Sequence, residues 1–342
     1  MELQLIWFVL WGVLWAVYFM LDGFVIGMQM ISGTIAKNDT ERRILINTVG
    51  PVWDGNEVWL ITAGGATFAA FPRTYALMFS YLYTALLLLL FALIIRGVSF
   101  EFRGKADHAD WKASWDKAIV VTGFLLALLF GVAFGNIFKG LPMDAAGYHG
   151  TFLSLLNPYG LFTGVLFLLL FALHGALYVS VKTTGELCNR AESLAGTLWP
   201  PLLAVAVAIL VYSKIGTKLL DNYFSIPALA VIPLVAVGSL LAVKLFMAKK
   251  DWYKAFAASC ATVLFVTFTG VAGLFPNLIP SSLDPAWSLT IFNSSSSPYT
   301  LKIMTVVAFV FVPIVIAYKI WVYRLFRARV TEDDVLKKSE AY

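Results

Sequence analysis

Three carboxylates lie inside apolar segments of this 342-residue chain, where ionisable side chains are rare: Asp22, Asp54 and Glu57. A charged group at the centre of a membrane helix costs about 2.5–3.5 kcal/mol on insertion scales, so such groups are usually functional or paired. Asp54 and Glu57 are three residues apart and share one helix face. Burial favours the neutral form of a carboxyl, so a buried carboxyl can both take up and release a proton. The pattern predicts a proton path.

A structural interpretation stands beside this one. The same carboxylates could hydrogen-bond neighbouring helices or pair with Arg42, Arg43 or Arg96. Arg96 lies near the end of an apolar segment, which is typical of a boundary residue that snorkels or pairs. Both interpretations remain open for the three carboxylates at the level of sequence.

Trp53 precedes Asp54 and is a candidate for stacking on a quinone-like ring. Tryptophan also anchors helices at the membrane interface, and that interpretation is the more common one.

The histidines limit what the chain can bind. His174 is the only histidine inside an apolar segment, and His108 and His149 fall in connections. Haem iron needs an axial ligand such as His, Met or Cys, so a bis-histidine haem within this chain is excluded. His174 is interpreted as a buried hydrogen-bonding group. The chain has no P-loop, GxGxxG, CxxC or serine-hydrolase elbow. We therefore expect no cofactor bound by this chain alone and no metal.

The elements that must position these groups follow from composition. The chain is 60% hydrophobic and 13% charged, whereas a soluble domain has roughly 25% charged residues. Such a chain needs lipid around it, which predicts an all-α integral membrane protein in a lipid bilayer. The basic residues cluster between apolar runs instead of forming a stripe among exposed aromatic residues, so no nucleic-acid partner is expected.

A helix needs about 20 apolar residues to cross a bilayer. Nine segments qualify, and we expect residues 1–325 to form a single polytopic domain followed by a charged, solvated tail at 326–342. The predicted helices are 5–31, 50–71, 76–100, 118–138, 160–182, 196–214, 227–248, 256–276 and 301–323. The connection at 277–300 is polar and is predicted to be irregular.

Lys and Arg set the orientation, because they are enriched on the cytoplasmic side. Twenty of the 25 fall in one set of connections. The other five are Arg73, Lys139, Lys214, Lys218 and Lys302. This split predicts an outside N-terminus and a cytoplasmic C-terminus. Glycine pairs four residues apart, Gly23 with Gly27 and Gly131 with Gly135, predict close helix packing.

One stretch is specific enough to indicate a family. Residues 40–72 read TERRILINTVGPVWDGNEVWLITAGGATFAAFP, and further matches follow in order: DGFVIG at 22–27, GVAFGN at 131–136, LNPYGL at 156–161 and YTLKIMTVVAFVFVP at 299–313. The chain resembles subunit II of cytochrome bd-type quinol oxidases over nearly its whole length.

The resemblance implies nine spanning helices, arranged as two four-helix bundles plus one peripheral helix, in a prokaryotic cytoplasmic (inner) membrane. It implies a haem-bearing partner, subunit I, that carries two haems b, one haem d and the quinol site. Small single-helix accessory subunits are further possible partners. The complex would oxidise quinol, reduce dioxygen to water and take its protons from the cytoplasm. The chain itself would be haem-free and could hold a bound quinone.

The resemblance also assigns residues. Asp54 is the Asp of the family's W-D-G-N motif, which is thought to contribute to a proton path, and Trp53 lies near a quinone bound in some members. Asp22 matches the first Asp of the family's D-G-F-D pattern, but Val25 stands in place of the second. That departure weakens a proton path along the first helix. Two alternatives follow: the protons take a different route, or Glu57 takes a share of the path.

Two other functions compete with this one. A proton- or ion-coupled secondary transporter would also combine intramembrane carboxylates with glycine-rich helices. It would act without haem and without a haem partner. A scaffold that only stabilises subunit I would differ from a proton carrier in its response to Asp54→Asn.

Overall fold

The computed structural model describes residues 2–337, and the chain is almost entirely helical over that range. Its α-helices are α1 (Glu2–Ile35), α2 (Asp39–Val49), α3 (Trp53–Ala70), α4 (Pro72–Tyr81), α5 (Tyr83–Phe102), α6 (Ala109–Lys139), α7 (Pro158–Lys182), α8 (Gly185–Gly216), α9 (Asp221–Ser225), α10 (Val231–Ala248), α11 (Trp252–Leu274), α12 (Pro298–Leu325) and α13 (Glu332–Lys337). Short 3₁₀ helices occupy Arg103–Lys105, Leu153–Leu156, Pro227–Ala230 and Pro285–Trp287. The strands are β1 (Met143–Asp144), β2 (Gly147–Tyr148), β3 (Asn277–Ile279) and β4 (Leu289–Thr290).

Eight helices of the described chain are long and apolar enough to cross a membrane: α1, α5, α6, α7, α8, α10, α11 and α12. Because apolar residues surround most of these helices, their surfaces suit lipid or other helices but not water. The prediction of an all-α integral membrane protein is confirmed. We call the end of the helices at which α1 and α12 finish the basic end, because most Lys and Arg lie there.

The predicted second span, 50–71, forms α3, an 18-residue helix that is not among those eight. Its C-terminus lies beside the start of α12, where the Ala70 carbonyl accepts a hydrogen bond of 2.8 Å from the Ser296 N–H. Its length of 18 residues corresponds to roughly 27 Å. In chain order α3 lies between α1, which finishes at the basic end, and α5, which starts at the opposite end.

The predicted span 76–100 is wrong in one respect, because the helix is interrupted. Leu82 separates α4 from α5 with φ −103° and ψ 17°. Its side chain is buried in a small apolar cluster with Val132 and Leu141. Tertiary packing at this end of the bundle therefore overrides the continuous helical pattern of the sequence.

The core of the molecule lies around α1 and α7. In the most apolar window of α7, 83% of residues are buried, against 0% for α12. α1 packs against α3, α6, α7 and α11. In the described chain, α12 makes its main helix contacts with α1 and α3. α1 is therefore a central helix of the fold, and α12 is peripheral.

Close approach of α1 and α7 depends on Gly27. A methyl group at this position would lie 2.7 Å from the carbonyl carbon of Phe171 and 2.9 Å from the Gly175 nitrogen, both main-chain atoms. Small residues at such crossings let two backbones pack closely in lipid.

Gly27→Ala is expected to destabilise the protein by about 1–3 kcal/mol or more, because the added methyl group overpacks a backbone contact. The measurement is the thermal unfolding midpoint of the protein purified in detergent. Gly238→Ala in α10 is the matched control, since nothing lies within 4 Å of the corresponding methyl position. Equal midpoints for the two variants would contradict this packing role.

The connections at the end opposite the basic end are more ordered than the sequence predicted. β1 pairs with β2, and β3 pairs with β4, each antiparallel. Leu141 and Ser281 form a bridge between the two connections. The prediction of an irregular 277–300 segment is therefore wrong in part, because Leu278, Ile279 and Leu289 are buried and hold it in place.

The tail also departs from its prediction as a solvated segment. Val330 N–H donates to the Lys182 carbonyl at 2.8 Å, and the Lys182 ammonium donates to the Ala328 carbonyl at 2.6 Å. Val335 in α13 is buried, and α13 packs against α2. The tail thus fastens the end of α12 to the bundle. Residues 338–342 lie outside the described part of the chain.

Candidate functional site

Two of the three predicted carboxylates meet at one guanidinium group. Arg96 of α5 donates to Asp22 of α1 through Nη1 at 2.7 Å and through Nη2 at 3.3 Å. The same Nη2 donates to Glu57 of α3. The side chains of Arg96 and Asp22 are fully buried, while that of Glu57 is 25% exposed. We call these three residues the buried triad. Of the two interpretations of Arg96, pairing and snorkelling to the membrane surface, the structure shows pairing.

The buried triad has two carboxyl groups for one cation. Arg96 stays protonated in proteins, so two ionised carboxylates would leave one uncompensated negative charge in a buried site. One added proton removes that excess. Glu57 is the partly exposed member and has fewer bonds to Arg96 than Asp22 has. Glu57 is therefore the carboxyl of the triad best placed to exchange a proton.

Tyr18 lies one helical turn from Asp22, and its fully buried hydroxyl is close to that carboxylate. The hydroxyl makes no hydrogen bond within 3.5 Å in the described chain, and neither does Arg96 Nε. Buried polar atoms in native proteins are usually satisfied by protein or ordered water. These two atoms add further buried polar groups to the surroundings of the triad.

Asp54 is not a member of the buried triad. It lies in the first turn of α3, is exposed, and accepts a hydrogen bond of 2.5 Å from the Gly55 N–H. The positive end of the helix dipole stabilises a carboxylate there. The exposed face that continues from Asp54 along α3 is apolar, with Val58, Ile61 and Phe68 exposed by 47%, 72% and 61%. Asp54 is thus a charged group at one end of an open apolar face.

Three residues that the sequence did not single out surround the start of α3. Asn56 is fully buried and donates to the Leu21 carbonyl at 2.7 Å. Its side-chain oxygen accepts from the Tyr323 hydroxyl at 2.9 Å and lies 3.5 Å from Lys319 Nζ. The sequence signal was a lysine inside the apolar run 301–323, one turn before Tyr323. In the sequence, Lys319 is one of the 20 basic residues that predict the orientation.

Trp53 is half-buried beside the same turn. Its ring lies 5.4 Å from that of Phe100, at an angle of 53°, and it also packs on Gly97. These contacts cover part of the indole and leave the rest accessible. The arrangement is compatible with both interpretations of Trp53, stacking and anchoring.

A path along α1 from the basic end is interrupted. Gln29 is fully buried, and neither atom of its amide has a hydrogen-bond partner in the described chain. Between Gln29 and Asp22 lies Val25, whose side chain is fully buried and apolar. Polar side chains therefore do not form a continuous series along α1 between Gln29 and Asp22.

His174 is positioned as a hydrogen-bonding residue. Its Nδ1 lies 2.7 Å from the Ser259 hydroxyl and its Nε2 lies 2.9 Å from the Met20 carbonyl oxygen. The ring stacks on Phe256 at 5.0 Å. With both nitrogens engaged, the imidazole presents no free lone pair to a haem iron. Within residues 2–337, no three His, Cys, Asp or Glu side chains are grouped to hold a metal ion.

A second charged cluster lies at the basic end and has a structural role. Arg103 donates to Asp116 at 2.5 Å and to Asp39 at 2.7 Å, which ties α2 to α6. Partial burial raises the pKa of Asp39, but the hydrogen bond and charge of Arg103 outweigh it and leave that pKa below its usual value. Asp39 is therefore ionised at neutral pH and serves as an anchor.

Known proteins resemble this chain over nearly its whole length. The model of one family, described as Cytochrome bd terminal oxidase subunit II, matches residues 3–326. Cytochrome bd ubiquinol oxidase subunit 2 of Bacillus subtilis is 38% identical, over 96% of this chain and 97% of that protein. Cytochrome bd-I ubiquinol oxidase subunit 2 of Escherichia coli is 35% identical, over 99% and 98%.

The fold has a solved counterpart. A chain of the bd oxidase from Geobacillus thermodenitrificans superposes with a TM-score of 0.77 at 18% sequence identity, covering 95% of this chain and 99% of that one. At this identity the likeness supports the fold alone.

Proposed function

As a member of the cytochrome bd terminal oxidase subunit II family, the chain is a subunit of a quinol-oxidising oxidoreductase, and we propose that it is the haem-free second subunit, which carries protons from the cytoplasm toward the site of dioxygen reduction. The observation that supports this most is the position of Asp54 and Glu57 at the start of α3, with Asp22 of α1 bonded to the same arginine as Glu57. Carboxyl groups at this position reach from an open face of the helix into the buried interior.

The proposed route begins at Asp54. Asp54 takes a proton from water at the basic end, which we propose to be cytoplasmic because 20 of 25 Lys and Arg lie on that side. The proton then passes to the partner subunit directly or through the excess carboxyl of the buried triad, with Glu57 as the exchanging group. Asp22 has two bonds to Arg96 and acts mainly to hold that guanidinium.

We propose that α3 is the ninth spanning helix, between α1 and α5. The helices then divide into one four-helix bundle of α1, α3, α5 and α6 and another of α7, α8, α10 and α11, with α12 peripheral. The contacts between α6 and α7 and between α1 and α7 join the two bundles. The N-terminus lies outside and the C-terminus in the cytoplasm of a prokaryote.

The partner is proposed to be the haem-bearing subunit I, and its docking face to be the open side of α3. Nothing lies within 4 Å of a methyl group placed on Gly64 or Gly65, so a helix of another chain can approach there closely. Asp54 is on the same helix and exposed. Docking of subunit I on this face would therefore place Asp54, the proposed proton carrier, next to subunit I.

Subunit I would hold two haems b and one haem d, and haem d, when bound there, supplies the reduction of dioxygen to water. Quinol is the electron donor. The engaged nitrogens of His174 support the absence of a haem in this chain. The half-buried ring of Trp53 is the proposed contact for a quinone in this subunit, where the accessible part of the indole offers a stacking surface.

A scaffold is a second candidate function, and the buried triad favours it. An arginine that binds two carboxylates joins α1, α3 and α5 whether or not protons move. The two functions differ at Asp54, which is outside the triad and would matter little to a scaffold.

Co-purification tests the proposed function. A C-terminal tag on this chain is expected to bring down a second membrane subunit, with a reduced-minus-oxidised visible spectrum that contains a haem d band. A haem-free, monodisperse single chain that remains stable in mild detergent would contradict the assignment and favour a secondary transporter.

A further inference from the structure

We propose that Lys319 of α12 is a positioning residue for Asp54, holding the side chain of the proposed proton carrier in place at the open side of α3 by attraction between the two groups. This inference rests on the proposed function. The Lys319 ammonium group lies where α12 meets the start of α3.

Lys319 lies directly over the backbone of the first turn of α3. Its Nζ is 2.6 Å from where a methyl group on Gly55 would lie, so the absence of a side chain at residue 55 leaves room for this position of the ammonium group. The same atom is 3.5 Å from Asn56 Oδ1. Asp54 is the neighbour of Gly55 in the chain.

The ammonium group has spare hydrogen-bonding capacity. A lysine has three N–H donors, and the contact with Asn56 uses one of them. In the part of the chain that the structure describes, no carboxylate lies within 4.0 Å of Lys319. Its remaining donors are available to Asp54 or to water that Asp54 binds.

Electrostatics make this place unfavourable for a lysine unless a carboxylate compensates. The first turn of a helix carries partial positive charge, which repels a cation. The side chain is also half-buried, so the ammonium has lost part of its hydration. Asp54 and then Asp22 are the carboxylates whose charges act on it. Asp54 thus opposes part of the cost of burying the ammonium group.

The rest of α12 indicates that this contact is specific. The helix is the least buried of the eight apolar helices, and Lys319 lies six residues before its end at Leu325, or roughly 9 Å along the axis. A long lysine side chain at that depth can snorkel to the surface. Here it turns to α3 instead, where Tyr323 already provides the hydrogen bond that joins the two helices through Asn56.

The test uses the purified oxidase complex with Lys319→Met and Lys319→Arg. Lys319→Met is expected to lower quinol-driven oxygen consumption about tenfold at unchanged haem content, a change within the usual range of coupling free energies between interacting residues. Lys319→Arg keeps the positive charge and is expected to stay within about twofold of the unaltered complex. Lys302→Met, an exposed lysine near the other end of α12, is the matched control and should have no effect.

A double-mutant cycle decides whether Lys319 acts through Asp54. In an Asp54→Asn background, Lys319→Met is expected to change turnover by less than about twofold, because the group it positions is gone. An equal slowing in both backgrounds, or no slowing with Asp54 intact, overturns the inference. Normal turnover of Asp54→Asn alone overturns the proposed function itself, so the two failures are distinguishable.

Assembly provides a second measurement if Lys319→Met does not accumulate. The double variant Lys319→Met/Asp54→Asn removes both charges and should then recover haem-loaded complex. A double variant that assembles no better than Lys319→Met would show that the two groups are not coupled and would overturn the inference.

Discussion

Arg96→Met is expected to prevent the oxidase complex from accumulating in membranes. Asp22 is fully buried with Arg96 as its ion-pair partner, and Glu57 binds the same guanidinium. Removing one partner of a buried ion pair typically costs about 3–5 kcal/mol, because the other charge is left without compensation. Total stability of a protein is of order 5–15 kcal/mol, so this loss is large. The measurement is the haem d content of membranes from cells that produce the variant.

Removing the carboxylates together with the arginine distinguishes the effect of an unpaired buried charge from the effect of the altered side-chain shapes. The combination Arg96→Met, Asp22→Asn and Glu57→Gln leaves no buried charge and is expected to restore much of the haem content, since replacing a whole buried ion pair is often close to neutral. Arg73→Met, at an exposed arginine near the start of α4, is the control. If Arg96→Met accumulates as well as Arg73→Met, the triad does not hold α1, α3 and α5 together.

Asp54→Asn is expected to lower oxygen consumption by about tenfold or more in a fully assembled complex, since a positioned acid–base group typically contributes 10²–10⁴-fold. Asparagine keeps the size of the side chain and its hydrogen bond from the Gly55 N–H, so the complex should still fold and assemble. Oxygen uptake per haem d, with excess quinol, measures the effect. Asp54→Glu retains an ionisable carboxyl and should recover part of the rate.

A close control exists for the structural effect of this change. Asp110 occupies the same position in the first turn of α6 and is also exposed. Asp110→Asn loses the same favourable interaction with a helix dipole, worth about 0.3–1 kcal/mol, but is not near the triad. Equal turnover for the two variants would mean that Asp54 stabilises its helix and carries no protons.

The sequence predicted the class of fold and the position of most helices. Most apolar runs long enough for a bilayer appear in the structure as helices, and some of these helices extend a few residues beyond the run, as with 5–31 and Glu2–Ile35. This extension follows because polar residues at helix ends continue the helix without contributing to the hydropathy signal. The interruption at Leu82 was not predictable, since it depends on packing against Val132 and Leu141 of distant elements.

The candidate site was predictable only in part. Rarity in an apolar segment singled out Asp22, Asp54 and Glu57, and Arg96 was among the partners considered. The actual pairing depends on how α1, α3 and α5 rotate against each other, which separate helical patterns do not determine. Asn56, Lys319 and Tyr323 were missed because they meet across 263 and 267 residues of sequence.

The most direct test of proton transfer through this chain is the membrane potential generated by the complex in closed vesicles during quinol oxidation. With Asp54→Asn, we expect the potential to develop more slowly in proportion to the loss of oxygen uptake, and Asp54→Glu to restore both. A complex with Asp54→Asn that contains all its haems and generates potential at the unaltered rate would contradict the account and leave this chain a scaffold.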